Sequence, residues 1–246
     1  FAFTRNWSQH PERFPQNSNG TMAQAPGIII NAPSDAYYNP HIQTHISDLS
    51  FAAGLKGMTS GSWNWDFSNT TGYNNFHFYG DKTFNPSLGA AQTHFDDGGF
   101  NFLQNTTNLD LNKTISQGVN LALGAEFRFE NYKLYAGEAA SYKLYNPNLA
   151  RGAQGFPGYS PSDAVNANRS NIAAYADAEF DLTSAWLVDA AVRLENYSDF
   201  GFTSTFKLAT RYKLADNFNL RGSISTGFRA PSLQQINFSA LFTSTS

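Results

Sequence analysis

The chain has 246 residues, enough for one large all-β domain or two ordinary ones. Aromatics make up 15% of it and charged residues only 14%, below the charge of an average soluble protein, a profile that favours strands over helices. A formal net charge of -3 without Lys/Arg runs excludes a nucleic-acid binder, and the absence of cysteine excludes disulfides and thiolate metal sites.

The chain opens at Phe1-Ala2-Phe3-Thr4-Arg5 with neither a start methionine nor a signal peptide, so it reads as cut at its beginning. Residues 4–45 read as an extended connecting segment, and residues 49–58 and 62–73 as two weakly alternating strands. Residues 76–100 form a long connection rich in Gly, Pro, Asn and aromatics, followed by a strand over 103–114. From Val119 the alternation sharpens: Val119, Leu121, Leu123, Ala125, Phe127 and Phe129 oppose Asn120, Glu126, Arg128 and Glu130. A second long connection covers 136–170. Residues 171–183 then place Ile172, Ala174, Ala176, Ala178, Phe180 and Leu182 on one face, with Asn171, Asp177, Glu179 and Asp181 on the other. Trp186, Val188, Ala190, Val192 and Leu194 oppose Asp189, Arg193 and Glu195. Phe206, Leu208, Tyr212 and Leu214 oppose Lys207, Arg211 and Lys213. Over 218–228, Leu220, Ile224 and Phe228 oppose Asn219, Arg221, Ser223 and Ser225, the last of eight expected strands.

A soluble sandwich also alternates, so the connections carry the discrimination. Thr59-Ser60-Gly61, Ser116-Gln117-Gly118, Ser184-Ala185 and Ala215-Asp216-Asn217 are tight, whereas the intervening connections are long apart from Ser198-Asp199-Phe200-Gly201. Short turns on one rim and long loops on the other describe an outer-membrane barrel with the periplasm on the short side. Only Lys113 and Lys133 fall on the apolar faces, both near strand ends, and Trp63, Trp65 and Trp186 follow short turns while Tyr135 marks the opposite rim. The expected fold is therefore all-β: antiparallel strands of a transmembrane outer-membrane β-barrel, integral to a bacterial outer membrane and in contact with its lipid.

Residues 221–233, Arg-Gly-Ser-Ile-Ser-Thr-Gly-Phe-Arg-Ala-Pro-Ser-Leu, resemble a segment of TonB-dependent receptors. Tyr197-Ser198-Asp199-Phe200-Gly201, Gly124-Ala125-Glu126-Phe127-Arg128 with Glu130 and Tyr132, Asn85-Pro86-Ser87-Leu88-Gly89 and Asp97-Gly98-Gly99 are similar to other segments of that family, in the same order. The resemblance covers roughly residues 46–240. It implies a barrel of 22 strands closed by an N-terminal plug carrying a TonB box, of which residues 1–246 would be a fragment of about eight strands, with the plug domain and the C-terminal strands absent. It implies energy-coupled uptake of a small-molecule nutrient such as a siderophore, vitamin or oligosaccharide, with the plug, and TonB through it, as partners. A passive porin or a surface adhesin built on the same alternation is the alternative.

No nucleophile elbow, phosphate loop or dinucleotide fingerprint appears, so no enzyme, cofactor or catalytic residue is expected. His41 and His45 are spaced i, i+4 but lack a metalloprotease glutamate and read as loop histidines. His94-Phe95-Asp96-Asp97-Gly98-Gly99 lacks the alternating acids of a calcium loop and reads as a solvated turn, with no metal site assigned. Two residue sets are candidates for function. Tyr37, Tyr38, Tyr79, Phe156 and Tyr159 are long-loop aromatics able to stack on a substrate, or else packing among loops. Arg128, Arg193, Arg211, Arg221 and Arg229 share lumen-facing parity and would meet the plug or line its exit path.

Overall fold

Successive side chains of a strand point to opposite faces, so a polar/apolar period of two builds a sheet with one apolar and one polar surface. A computed structural model of the chain, which describes residues 2–8, 12–13, 37–89 and 91–238, has this form. Its elements are β1 (Ala2–Ser8), β2 (Glu12–Arg13), β3 (Tyr37–Tyr38), β4 (His41–Met58), β5 (Asn64–Asp81), β6 (His94–Ser116), β7 (Val119–Tyr135), α1 (Ala139–Tyr142), β8 (Val165–Asp181), β9 (Trp186–Tyr197), β10 (Gly201–Ala215), β11 (Phe218–Ser225) and α2 (Leu233–Asn237). Nine strands form one antiparallel sheet in the order β1-β4-β5-β6-β7-β8-β9-β10-β11, and β2 pairs with β3 separately.

The register confirms the faces read from parity. Leu123 sits between Leu111 and Ala176, Phe127 pairs with Ile172, Ala174 with Leu194, Val192 with Phe206, and Leu208 with Ile224. Many side chains of this face stand in the open, Leu49 at 71% and Ile224 at 72% exposure among them, and together they form a continuous apolar surface far too extensive for a protein in water. Glycines on both faces are filled by aromatic neighbours: the Trp65 ring lies where a Cβ on Gly57 would stand, and Tyr175 covers Gly124. Near the short turns, Trp186 donates its ring N–H to Thr210 Oγ1 at 2.8 Å, and the Lys113 ammonium lies 5.8 Å from the Trp63 ring. Both contacts suit residues at an apolar–polar boundary.

Three boundaries differ from the sequence reading. One is β1, a ninth strand inside the segment expected to be a connection, which pairs with residues 41–47 of β4. The second is the reach of β4, β5, β6 and β8 into residues expected to be loop. β6 has 23 residues, about twice the ~9–11 that cross a membrane, so the upper parts of these strands project beyond the apolar band. The third is the end of β11, at Ser225 rather than at residue 228, after which the chain leaves the sheet.

Candidate functional site

The polar face carries an ordered network of charges. Arg128 Nη2 lies 2.6 Å from Glu126 Oε1, and Arg193 Nη2 lies 3.2 Å from Glu126 Oε2 and 2.8 Å from Glu195 Oε1. Asn171 donates to Glu195 Oε1 and Tyr197 donates to Glu195 Oε2. The strand between these partners supplies buried Ala173, which pairs with Glu126 on one side and Glu195 on the other. Its methyl is small enough to let the Arg193 guanidinium pass from β9 to β7. The sequence shows the acids and bases by parity, but this bridge depends on register.

A third arginine, outside the five candidates, organises the upper end of the same face. Arg169, only 3% exposed, donates from Nε to Asp199 Oδ2 at 2.8 Å and from Nη1 to the Pro231 carbonyl at 2.8 Å; Nη1 also lies 3.6 Å from Glu130 Oε2. Its guanidinium carbon stands 5.4 Å from the Phe200 ring and 6.0 Å from the Tyr197 ring. This geometry explains the 227–233 motif locally. Phe228, expected on the apolar face of a longer strand, packs at 5.4 Å on Phe200 and 6.0 Å on Tyr197. Pro231 cannot donate to a ladder and marks the departure from the sheet. Ser232 then caps α2 through a reciprocal capping box with Gln235, and Leu233 is buried. A signal for Arg169 existed in the sequence, since it shares the parity of Asn171 and Asp177, but it lay inside the span expected to be a loop.

Leu233 joins Tyr132, Leu134 and Tyr159 in the hydrophobic cluster of the upper polar face, packed against Phe78, Phe100, Phe102 and Phe156. Connection 136–164 therefore folds back over this face. Burial, with Tyr132, Asp163 and Asp97 nearby, pushes the Tyr159 hydroxyl up to about 12, so it stays protonated at physiological pH. Above the apolar band, β6 bulges where Phe78 faces Gly98 and Tyr79 faces Asp96, leaving Asp97 as the extra residue. Asp97 is fully buried, and the Gly80 backbone is the one hydrogen-bonding group that offsets the burial of its carboxyl. Burial first, then Asp96 and Glu138, push its carboxyl well above the usual range. The segment expected to be a solvated turn is thus strand and bulge.

The five aromatic candidates do not converge. Tyr38 is buried edge-on against Phe84 at 5.6 Å, Phe156 and Tyr159 belong to the cluster on the polar face, and the side chain of Tyr37 lies outside the described residues. Tyr79 is in β5 rather than in a loop and faces outward above the apolar band, stacked on His77 at 4.5 Å and on His94 at 5.5 Å, with His45 at 4.9 Å. His41 and His45 are strand residues of β4, not loop residues. Of the five arginines, Arg128, Arg193, Arg211 and Arg221 lie on the polar face. Strand parity does not apply to Arg229, which follows the end of β11 and is exposed. Below the cluster, a recess of about 580 Å³ opens on the polar face, lined in part by Asp48, Ser50, Thr70, Asn74, Phe102 and Gln104.

The solved siderophore receptor PirA from Pseudomonas aeruginosa is similar at 13% identity and a TM-score of 0.40, covering 79% of this chain and 37% of its own, so the chain spans little more than a third of that receptor. No curated protein sequence matches. The family model described as TonB dependent receptor-like, beta-barrel matches residues 2–245, and the chain belongs to that family.

Proposed function

We propose that this sheet is a wall segment of an outer-membrane receptor that takes up a small nutrient with energy supplied through TonB and a plug held in the lumen. The observation that supports the reading best is the pairing of two opposite surfaces on the same strands. One is a continuous apolar face, and the other is a polar face bearing the Glu126–Arg128–Arg193–Glu195 network, onto whose upper end the 136–164 connection folds. In this reading the apolar face meets lipid and the polar face lines the lumen. Phe156 and Tyr159 shape the mouth, and the recess beside Phe102 lies on the nutrient's path. A siderophore, a vitamin or an oligosaccharide each suits a polar lumen with an aromatic mouth.

Uptake by cells expressing the full-length receptor, assayed with a panel of labelled iron chelates, cobalamins and oligosaccharides, tests the proposal. The expected result is accumulation of one class that stops when the inner-membrane proton gradient is collapsed. Accumulation that continues unchanged after collapse would instead identify a passive pore.

A further inference from the structure

Two cations of the polar face stand apart from the others. Arg211 on β10 and Arg221 on β11 are direct cross-strand partners, an arrangement in which like charges repel. The neighbouring cations have carboxylates: Lys207 lies 2.6 Å from Asp189, Lys213 lies 2.8 Å from Asp216, and Arg128, Arg169 and Arg193 are paired as described above. Among the described residues neither Arg211 nor Arg221 has an ion pair. Both line a recess of about 380 Å³, together with Leu187, Asp189, Lys207 and Ser223. The next row along the same face is Asp189, Ala209 and Ser223, whose last two side chains are small and leave room beside the guanidiniums. Asp189 does not neutralise the recess, because Lys207 already holds it.

We infer that Arg211 and Arg221 together form an oxyanion site that takes one carboxylate or phosphate group. A guanidinium presents a planar fork of N–H donors that matches such a group with two parallel hydrogen bonds, and two guanidiniums on paired strand positions lining one recess supply donors from both strands. An anion between them also replaces the like-charge repulsion with two attractions. The inference rests on the reading of the polar face as the lumen side. There the oxyanion has two sources: a free anion, such as part of a nutrient, or an acidic side chain from another segment of the full-length receptor.

Arginine modification by phenylglyoxal, read residue by residue by mass spectrometry on the full-length receptor in detergent, tests the site, with exposed Arg229 as the reference. Modification of Arg211 and Arg221 that is suppressed by added citrate or inorganic phosphate, with Arg229 unaffected, supports a site for a free anion. Protection without any added anion that disappears in about 1 M sodium chloride, where ion pairs are screened, supports an acidic group of the same protein. Equal modification of all three with and without the anions, or protection that salt does not change, overturns the site. Where citrate binds, the Arg211→Gln/Arg221→Gln variant weakens it roughly tenfold or more, the loss expected for a charged hydrogen-bonded contact. Failure of the receptor to partition into membranes would remove the lumen reading separately, because the modification pattern does not depend on it.

Discussion

Arg169 holds four separate parts of the chain at once: Glu130 of β7, its own strand β8, Asp199 in the connection after β9, and Pro231 beyond β11. Removing it leaves Asp199 and Glu130 facing each other without a cation and frees the Pro231 carbonyl. Breaking a buried ion pair from one side costs about 3–5 kcal/mol. Arg169→Met is therefore expected to release the 226–238 segment, seen as new protease cleavage around Arg229 in the folded receptor, while Arg229→Gln leaves the rest of that segment protected. Asp97 works in the opposite sense. Its folded form favours the proton, so the stability it contributes is complete below the unfolded carboxyl value of about 3.9 and is lost as pH rises through its raised folded value. Asp97→Asn is expected to remove that loss. Thermal unfolding of the full-length receptor should show the variant gaining on the parent as pH increases, with little difference in acid; a constant difference across pH would contradict this.

At the scale of elements, β8 to β10 were legible because their outer face is steadily apolar and their inner face charged. The upper parts of β4 to β6 and the first residues of β8 were not, and for β4 to β6 the reason is physical. Where the 136–164 connection folds inward, the inner face needs hydrophobic partners, and Phe76, Phe78, Phe100 and Phe102 supply them; on the outer face the same strands carry His45, His77 and Tyr79. With rings on both sides the polar/apolar contrast vanishes, although the ladder continues. The same contrast separates two of the aromatic candidates: Tyr79 belongs to an outward-facing strand position, while Tyr159 packs inward. Even the apolar band carries polar side chains. Asn69 and Asn105 exchange side-chain amide bonds at 3.1 and 3.0 Å, with Thr107 and Thr71 taking the remaining donors at 2.8 and 2.6 Å, so no amide donor is left to face lipid. A charge has no such escape. Ala125→Arg, on the exposed face of β7 between Leu109 and Ala174, should destabilise the membrane-inserted protein by about 2–4 kcal/mol in denaturant titration. A neutral effect would mean that this face does not lie in hydrocarbon.

For the molecule as a whole, the central claim is that one sheet separates lipid from lumen. Residues 172–180 of β8 carry this claim because their alternation is regular and both neighbouring strands are in place. The chain contains no cysteine, so single cysteines introduced along β8 meet no background from these 246 residues, and any cysteine elsewhere in the full-length receptor is first replaced by serine. The decisive measurement is labelling of such a series in the full-length receptor, in outer membranes, with a small charged maleimide. Positions 173, 175, 177 and 179 are expected to react as water in the lumen reaches them, or to become reactive once the lumen is opened by mild denaturant. Positions 172, 174, 176, 178 and 180 should stay unreactive until the membrane is dissolved. Equal labelling of both series in intact membranes would contradict the account.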